Sequence, residues 1–139
     1  MSDQNKQVVE RGHEARSTGR IWDWVETLDP GIEWDISGYP VAGFPQQGSG
    51  RNEFVAHVTK YWSLWNDYSQ DVKEMIEDGD NVVVVLCEHA RLRNSDVALE
   101  REVAAVWTIE NGKRVRFRAF ASREAALAAA HGDEEGDSG

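Results

Sequence analysis

The chain has 139 residues, a single cysteine and a net charge of −10, which suits one domain able to bury its own core. The acidic balance argues against nucleic acid and anionic membranes as partners, and the lone Cys87 excludes an intrachain disulfide and a multi-cysteine zinc site. No apolar run approaches the roughly 20 residues that span a bilayer, and the polar opening MSDQNKQ lacks a signal-peptide profile, so a soluble, cytoplasmic protein is expected.

Helices are expected first. Ser2 or Asp3 caps a helix to about Thr18, with Val8, Gly12, Ala15 and Gly19 at helical spacing. Two glycines among four positions mean that this face is weakly packed or pressed close to something. A second short helix carries Ile21, Trp24, Val25 and Leu28 on one side; Asp29-Pro30-Gly31 stops it, and Ile32–Ser37 reads as a short strand. Gly38–Gly50, with two prolines and four glycines, is a loop long enough to be functional. Residues 51–66 give the best helical pattern, with Phe54, Val55, Val58, Tyr61, Trp62 and Trp65 on one wide apolar stripe.

From Val72 the period becomes two. Strands are expected over about 70–77, 81–92, 97–109 and 113–121, with turns near Gly79-Asp80 and Asn94-Ser95-Asp96. A three-residue loop, Glu110-Asn111-Gly112, is preferred for the last hairpin because it sets Trp107 opposite Val115. That register gathers Val103, Ala105, Trp107, Val115, Phe117 and Ala119 on one face and puts Arg114, Arg116 and Arg118 on the other, beside Glu100 and Glu102. Ser122 then caps an alanine-rich final helix. The domain is taken as residues 1–131, and the acidic segment 132–139, with nothing apolar to bury, as a disordered tail.

This is an α+β layout with helices segregated to one face of the sheet. The segments LDPGIEW (28–34), GRNEFVAHV (50–58), GDNVVVVLCEHARLR (79–93), AAVWTIENGKRVRFRAF (104–120) and SREAAL (122–127) together resemble a SnoaL-like domain. That family belongs to the nuclear-transport-factor-2-like superfamily, which includes ketosteroid isomerase. The resemblance covers about residues 5–130. It implies a cone of about three N-terminal helices on a strongly curved antiparallel sheet, with a short C-terminal helix and a homodimer through the outer sheet face. The superfamily hosts isomerases, cyclases, dehydratases, epoxide hydrolases and pure binding proteins, so the fold leaves the reaction open.

In the isomerase, the general base is an aspartate at the end of the strand after the second helix, and the resemblance puts Asp35 there. An apolar cavity would raise such a carboxylate's proton affinity for work beside a carbonyl. The isomerase's two oxyanion donors match Gly12 and Ala105, which cannot donate, so steroid isomerisation is not carried over. Glu88 and His89 are the alternatives on one strand; neighbours point oppositely, and the more apolar even-numbered set favours Glu88 as the inward residue. A glutamate there paired with Arg101 would also serve as ordinary structure. His57, at the edge of its helical stripe, is the third acid–base candidate, in principle paired with Asp35.

Phe54, Tyr61, Trp62, Trp65, Trp107 and Phe117 face inward and suit a flat, hydrophobic or polycyclic ligand, although large rings also simply fill a cone. Tyr39 and Phe44 are placed at the mouth. Cys87 reads as a buried structural thiol, and the four histidines form no metal-ligand spacing, so neither metal nor cofactor is expected. Two functions follow: cofactor-free acid–base catalysis of isomerase, cyclase, dehydratase or hydrolase type on a small hydrophobic substrate, or a non-catalytic ligand-binding or dimerisation module.

Overall fold

The structure, a computed structural model, describes residues 3–39, 44–93 and 95–138. Its elements run α1 (Asp3–Ser17), α2 (Ile21–Glu26), β1 (Leu28–Gly38), β2 (Gln47–Ser49), α3 (Arg51–Ser63), β3 (Trp65–Asp78), β4 (Asn81–Leu92), β5 (Ala98–Glu110), β6 (Lys113–Phe120) and α4 (Arg123–Ser138). The six strands form one sheet in the order β2-β1-β6-β5-β4-β3. It is antiparallel except where β1 lies parallel to β6, the pairing that returns the chain's first strand to the sheet's interior.

Alternation along the strands decides which face each side chain joins. Val82, Val84 and Leu86 of β4 and Trp107 of β5 turn inward, into a core shared with α1, α2, β1 and α3. Val83, Val85, Ala104 and Val106 turn outward and pack beneath Ala126 and Ala130 of α4. Ser122 starts α4 as expected: its hydroxyl accepts from the Ala125 N–H at 3.2 Å. α4 runs on to Ser138 and takes in most of the acidic segment expected to be unstructured. No helix among the described residues is long and apolar enough to cross a membrane.

Three further expectations change. Asp29-Pro30-Gly31 does not break the chain before β1; it lies within the strand, where the pairing with β6 slips between Leu28 and Glu33 and the Asp29 carboxylate accepts from the Gly31 N–H at 2.8 Å. Helix α3 ends at Ser63, and Trp65 opens β3, where it pairs with Leu92 of β4.

The β5–β6 hairpin closes by a two-residue Asn111-Gly112 turn, both residues at positive φ (53° and 78°), with Glu110 opposite Lys113. An irregularity between Thr108 and Ile109 then sets Trp107 opposite Phe117 rather than Val115. Two residues of displacement keep the parity, so Val103, Ala105, Trp107, Phe117 and Ala119 still border one interior. Arg114, on the turn side of the irregularity, goes inward with them and leaves the charged outer row.

Candidate functional site

The inner core is not filled. Between the concave sheet face and α1, α2 and α3 lies a cavity of about 190 Å³, lined by aromatic rings from the sheet and the helices. Trp107 and Phe117 come from the sheet, 4.6 Å apart between centroids; Phe54 of α3 stands edge-on to both; Trp24 and Trp62 meet at 5.5 Å across the helical side. Tyr39 and Phe44 complete the lining as expected, while residues 40–43 between them lie outside the described residues. The rings stand at steep angles to one another around this space.

Of the six aromatics expected around a ligand, Phe54, Tyr61, Trp62, Trp107 and Phe117 line the cavity. Trp65 does not. As the first residue of β3 it leaves the helical stripe, stands edge-on to Tyr61 and has the Arg101 guanidinium over its ring at 6.0 Å. Sequence reasoning missed Tyr68 and gave no ligand role to Trp24; Tyr68 reaches the cavity only because β3 starts five residues earlier than its alternation suggested.

Asp35 does not enter the cavity. Ile32 and Trp34 are the inward residues of β1, so alternation turns Asp35 to the other side. There its carboxylate accepts from the Ser37 N–H at 2.9 Å and the Gln47 side chain at 3.3 Å. Hydrogen bonding from Ser37 holds its pKa below the ordinary aspartate value, the opposite of what a cavity base needs. His57 does line the cavity, but edge-on to Trp34 and Phe44 rather than paired with Asp35.

Glu88 is the carboxylate in the cavity wall, 4 % exposed. The Tyr61 hydroxyl donates to it at 3.1 Å and Arg101 Nε at 3.1 Å, and the Tyr68 hydroxyl makes a further, short bond. Each phenol is itself held: Arg101 donates to Tyr61 at 2.8 Å, and Gln70 to Tyr68 at 2.9 Å. Burial, and then the charge of Glu88, raises the pKa of both phenols far above the usual tyrosine value, so both stay neutral donors at physiological pH.

A second polar group was not anticipated. Arg114 is 1 % exposed, its guanidinium 4.2 Å from the centre of Trp107, with Nε and Nη2 both donating to the Thr27 hydroxyl. Gly12 of α1 makes this possible, since a Cβ there would run into the guanidinium. That is the close approach expected on this helix face, at one of its two glycines; Gly19 lies beyond α1 and a Cβ there would meet nothing. His13 and Arg16, on the same helix, also line the cavity. Burial, followed by the nearby Arg114 and Arg16 charges, pushes the His13 pKa down to about 4.

The donors nearest to a metal set among the described residues lie elsewhere. On the outer face, ligand atoms of Cys87, His89 and Glu100 fall within 4.8 Å of one another, with Asp71 Oδ2 2.9 Å from His89 Nε2. Adjacent strands bring them together, so no spacing along the chain announces them.

The SnoaL-like domain family matches residues 9–117. Among solved structures, an NTF2-like protein from Burkholderia thailandensis shares 26% identity (TM-score 0.71; 91% of this chain and 96% of that one covered). A putative SnoaL-like polyketide cyclase from Jannaschia sp. CCS1 shares 20% (TM-score 0.74; 93% and 92%). TerC, co-crystallised with polyporic acid, shares 17% (TM-score 0.73; 92% and 98%). No curated protein matches the chain.

Proposed function

The chain belongs to the SnoaL-like family, and from that premise we propose that its cavity receives a small hydrophobic ring compound and moves a proton on it, as an isomerase or cyclase does, without a cofactor. The observation that carries this reading is Glu88: a carboxylate buried in an aromatic cavity wall, with two neutral phenols and a guanidinium on its oxygens. In such a site, a ligand carbonyl that takes over a hydrogen bond from Tyr61 or Tyr68 is polarised. Glu88 is then freed on that side to accept the proton from the adjacent carbon and return it at another. Nothing is gained or lost in sum, which is why no cofactor is required. TerC, a neighbour in fold, was co-crystallised with polyporic acid, and that supports the choice of a ring compound.

A probe reaction tests it. Exchange of the α-hydrogens of 2-tetralone for deuterium, followed by NMR in D₂O, is accelerated by the protein and not by Glu88→Gln. A protein that binds the ketone but leaves its exchange rate at the buffer value has no such activity.

The alternative, a ligand-binding module without catalysis, has one observation in its favour. Both phenol hydrogens of the Glu88 cluster already have an acceptor in the carboxylate, and Arg101 donates to Glu88 and to Tyr61. A cluster so closed reads equally as the strut that ties α3 to β3, β4 and β5. Binding of 2-tetralone without exchange selects this second reading.

A further inference from the structure

The charges on the cavity wall do not balance. Glu88 is its carboxylate, and Arg101 pairs with it at 3.1 Å. Arg114 and Arg16 are then left over. Among the described residues no carboxylate comes within ion-pair distance of Arg114, and the Thr27 hydroxyl is the sole acceptor for a group with five N–H donors. Arg16 lies over the rings of Trp62 and Tyr68, at 3.9 and 5.4 Å, and its buried Nε has no hydrogen-bond partner. Beside them, the buried Nε2 of His13 is also unpartnered.

Burying a guanidinium without a counter-ion is costly, and stacking on an aromatic ring offsets only part of that cost. A chain carrying −10 overall has no shortage of carboxylates with which to neutralise these two. Instead α1 keeps a glycine at position 12, which leaves room for the Arg114 guanidinium against the helix. Two cations on one ring-lined cavity wall also concentrate a positive potential there, against the sign of the whole molecule.

We infer that the ligand of this cavity is an anion, a small aromatic carboxylate whose charge is met by Arg114 and Arg16 while its ring lies among the tryptophans. This rests on the reading of the cavity as a ligand site and goes beyond it by naming the ligand's charge. A carboxylate supplies several acceptor positions to donors that now have few, and a guanidinium is the side chain shaped to meet it. The ring supplies apolar contact with Trp24, Trp62 and Trp107.

The experiment compares two ligands of one shape. Titration calorimetry of the unmodified protein with 2-naphthoate and with 2-naphthamide is expected to show the acid binding at least ten-fold more tightly, the amide being its uncharged counterpart. Equal binding, or tighter binding of the amide, overturns the charge inference and leaves the ligand site standing. Binding of neither overturns both. Arg114→Met and Arg16→Met, each checked by its melting curve, should shrink the acid's advantage. Should the full advantage survive in both, the anion is not held by these groups and the assignment falls.

Discussion

The two faces of the sheet are built from the same strands, and they pack in opposite ways. On the outer face, Val83, Val85, Ala104 and Val106 meet Ala126 and Ala130 of α4, small side chains that let helix and sheet come close. On the inner face, rings of Trp, Phe and Tyr meet three helices and leave about 190 Å³ between them. More apolar surface does not make the tighter core. Across the concave inner surface the rings meet edge to face, the arrangement aromatic pairs prefer. Charge follows the same division. The outer ion pair Glu74–Arg123 is nearly half open to water, while Glu88 on the inside is 4 % exposed.

Five substitutions separate the faces. First comes Glu88→Gln, which strips the charge from a buried carboxylate and leaves the half-exposed Arg101 without its counter-ion; chemical denaturation should register a loss of about 2 kcal/mol. Next comes a matched pair of insertions. Ala126→Leu, at a fully buried site under α4, forces the helix away from the sheet and should cost about 2 kcal/mol. Ala105→Leu, which grows into the cavity, should cost far less and weaken binding of any ligand there. Equal losses from the two would mean that the inner face is as full as the outer one.

Acid should act through the inner face. The pKa of His13 is about 4 in the folded protein against 6.5 in a model peptide. As pH falls below 6.5 the unfolded chain takes up a proton that the folded chain refuses until about pH 4, so stability declines through that window. His13→Gln should therefore lose about 2 kcal/mol less than the parent between pH 7 and pH 5, measured by urea denaturation at each pH. An unchanged decline would show that the imidazole is not sheltered. The smallest effect is expected of Glu74→Gln on the outer face, where solvent screens the pair with Arg123; its melting temperature should barely move.

Much of the site was legible because alternation is a strict rule. The even-numbered apolar run of β4 pointed Glu88 inward, whereas Asp35, put forward by its family position, alternates with the inward Ile32 and Trp34 and so leaves the cavity. Helical spacing alone found Phe54, Tyr61 and Trp62, and failed one turn later at Trp65, where strand pairing outcompeted the helix. Arg114 was misplaced for a sharper reason. In a chain of alternating Arg and apolar residues, one irregularity in the ladder changes the face of everything on one side of it.

The sequence by itself determined the class of fold, the order of its elements apart from β2, the cap of α4 and the inward set of β4, because periodicity and capping are local properties of a few neighbouring residues. Only the tertiary structure decided that Arg114 lies in the cavity wall. Its place depends on a slip between Thr108 and Ile109, a glycine a hundred residues away on α1 and the ring of Trp107 beneath it. A charge is stable inside a protein only where distant elements together make room for it, and no window along the chain contains them all.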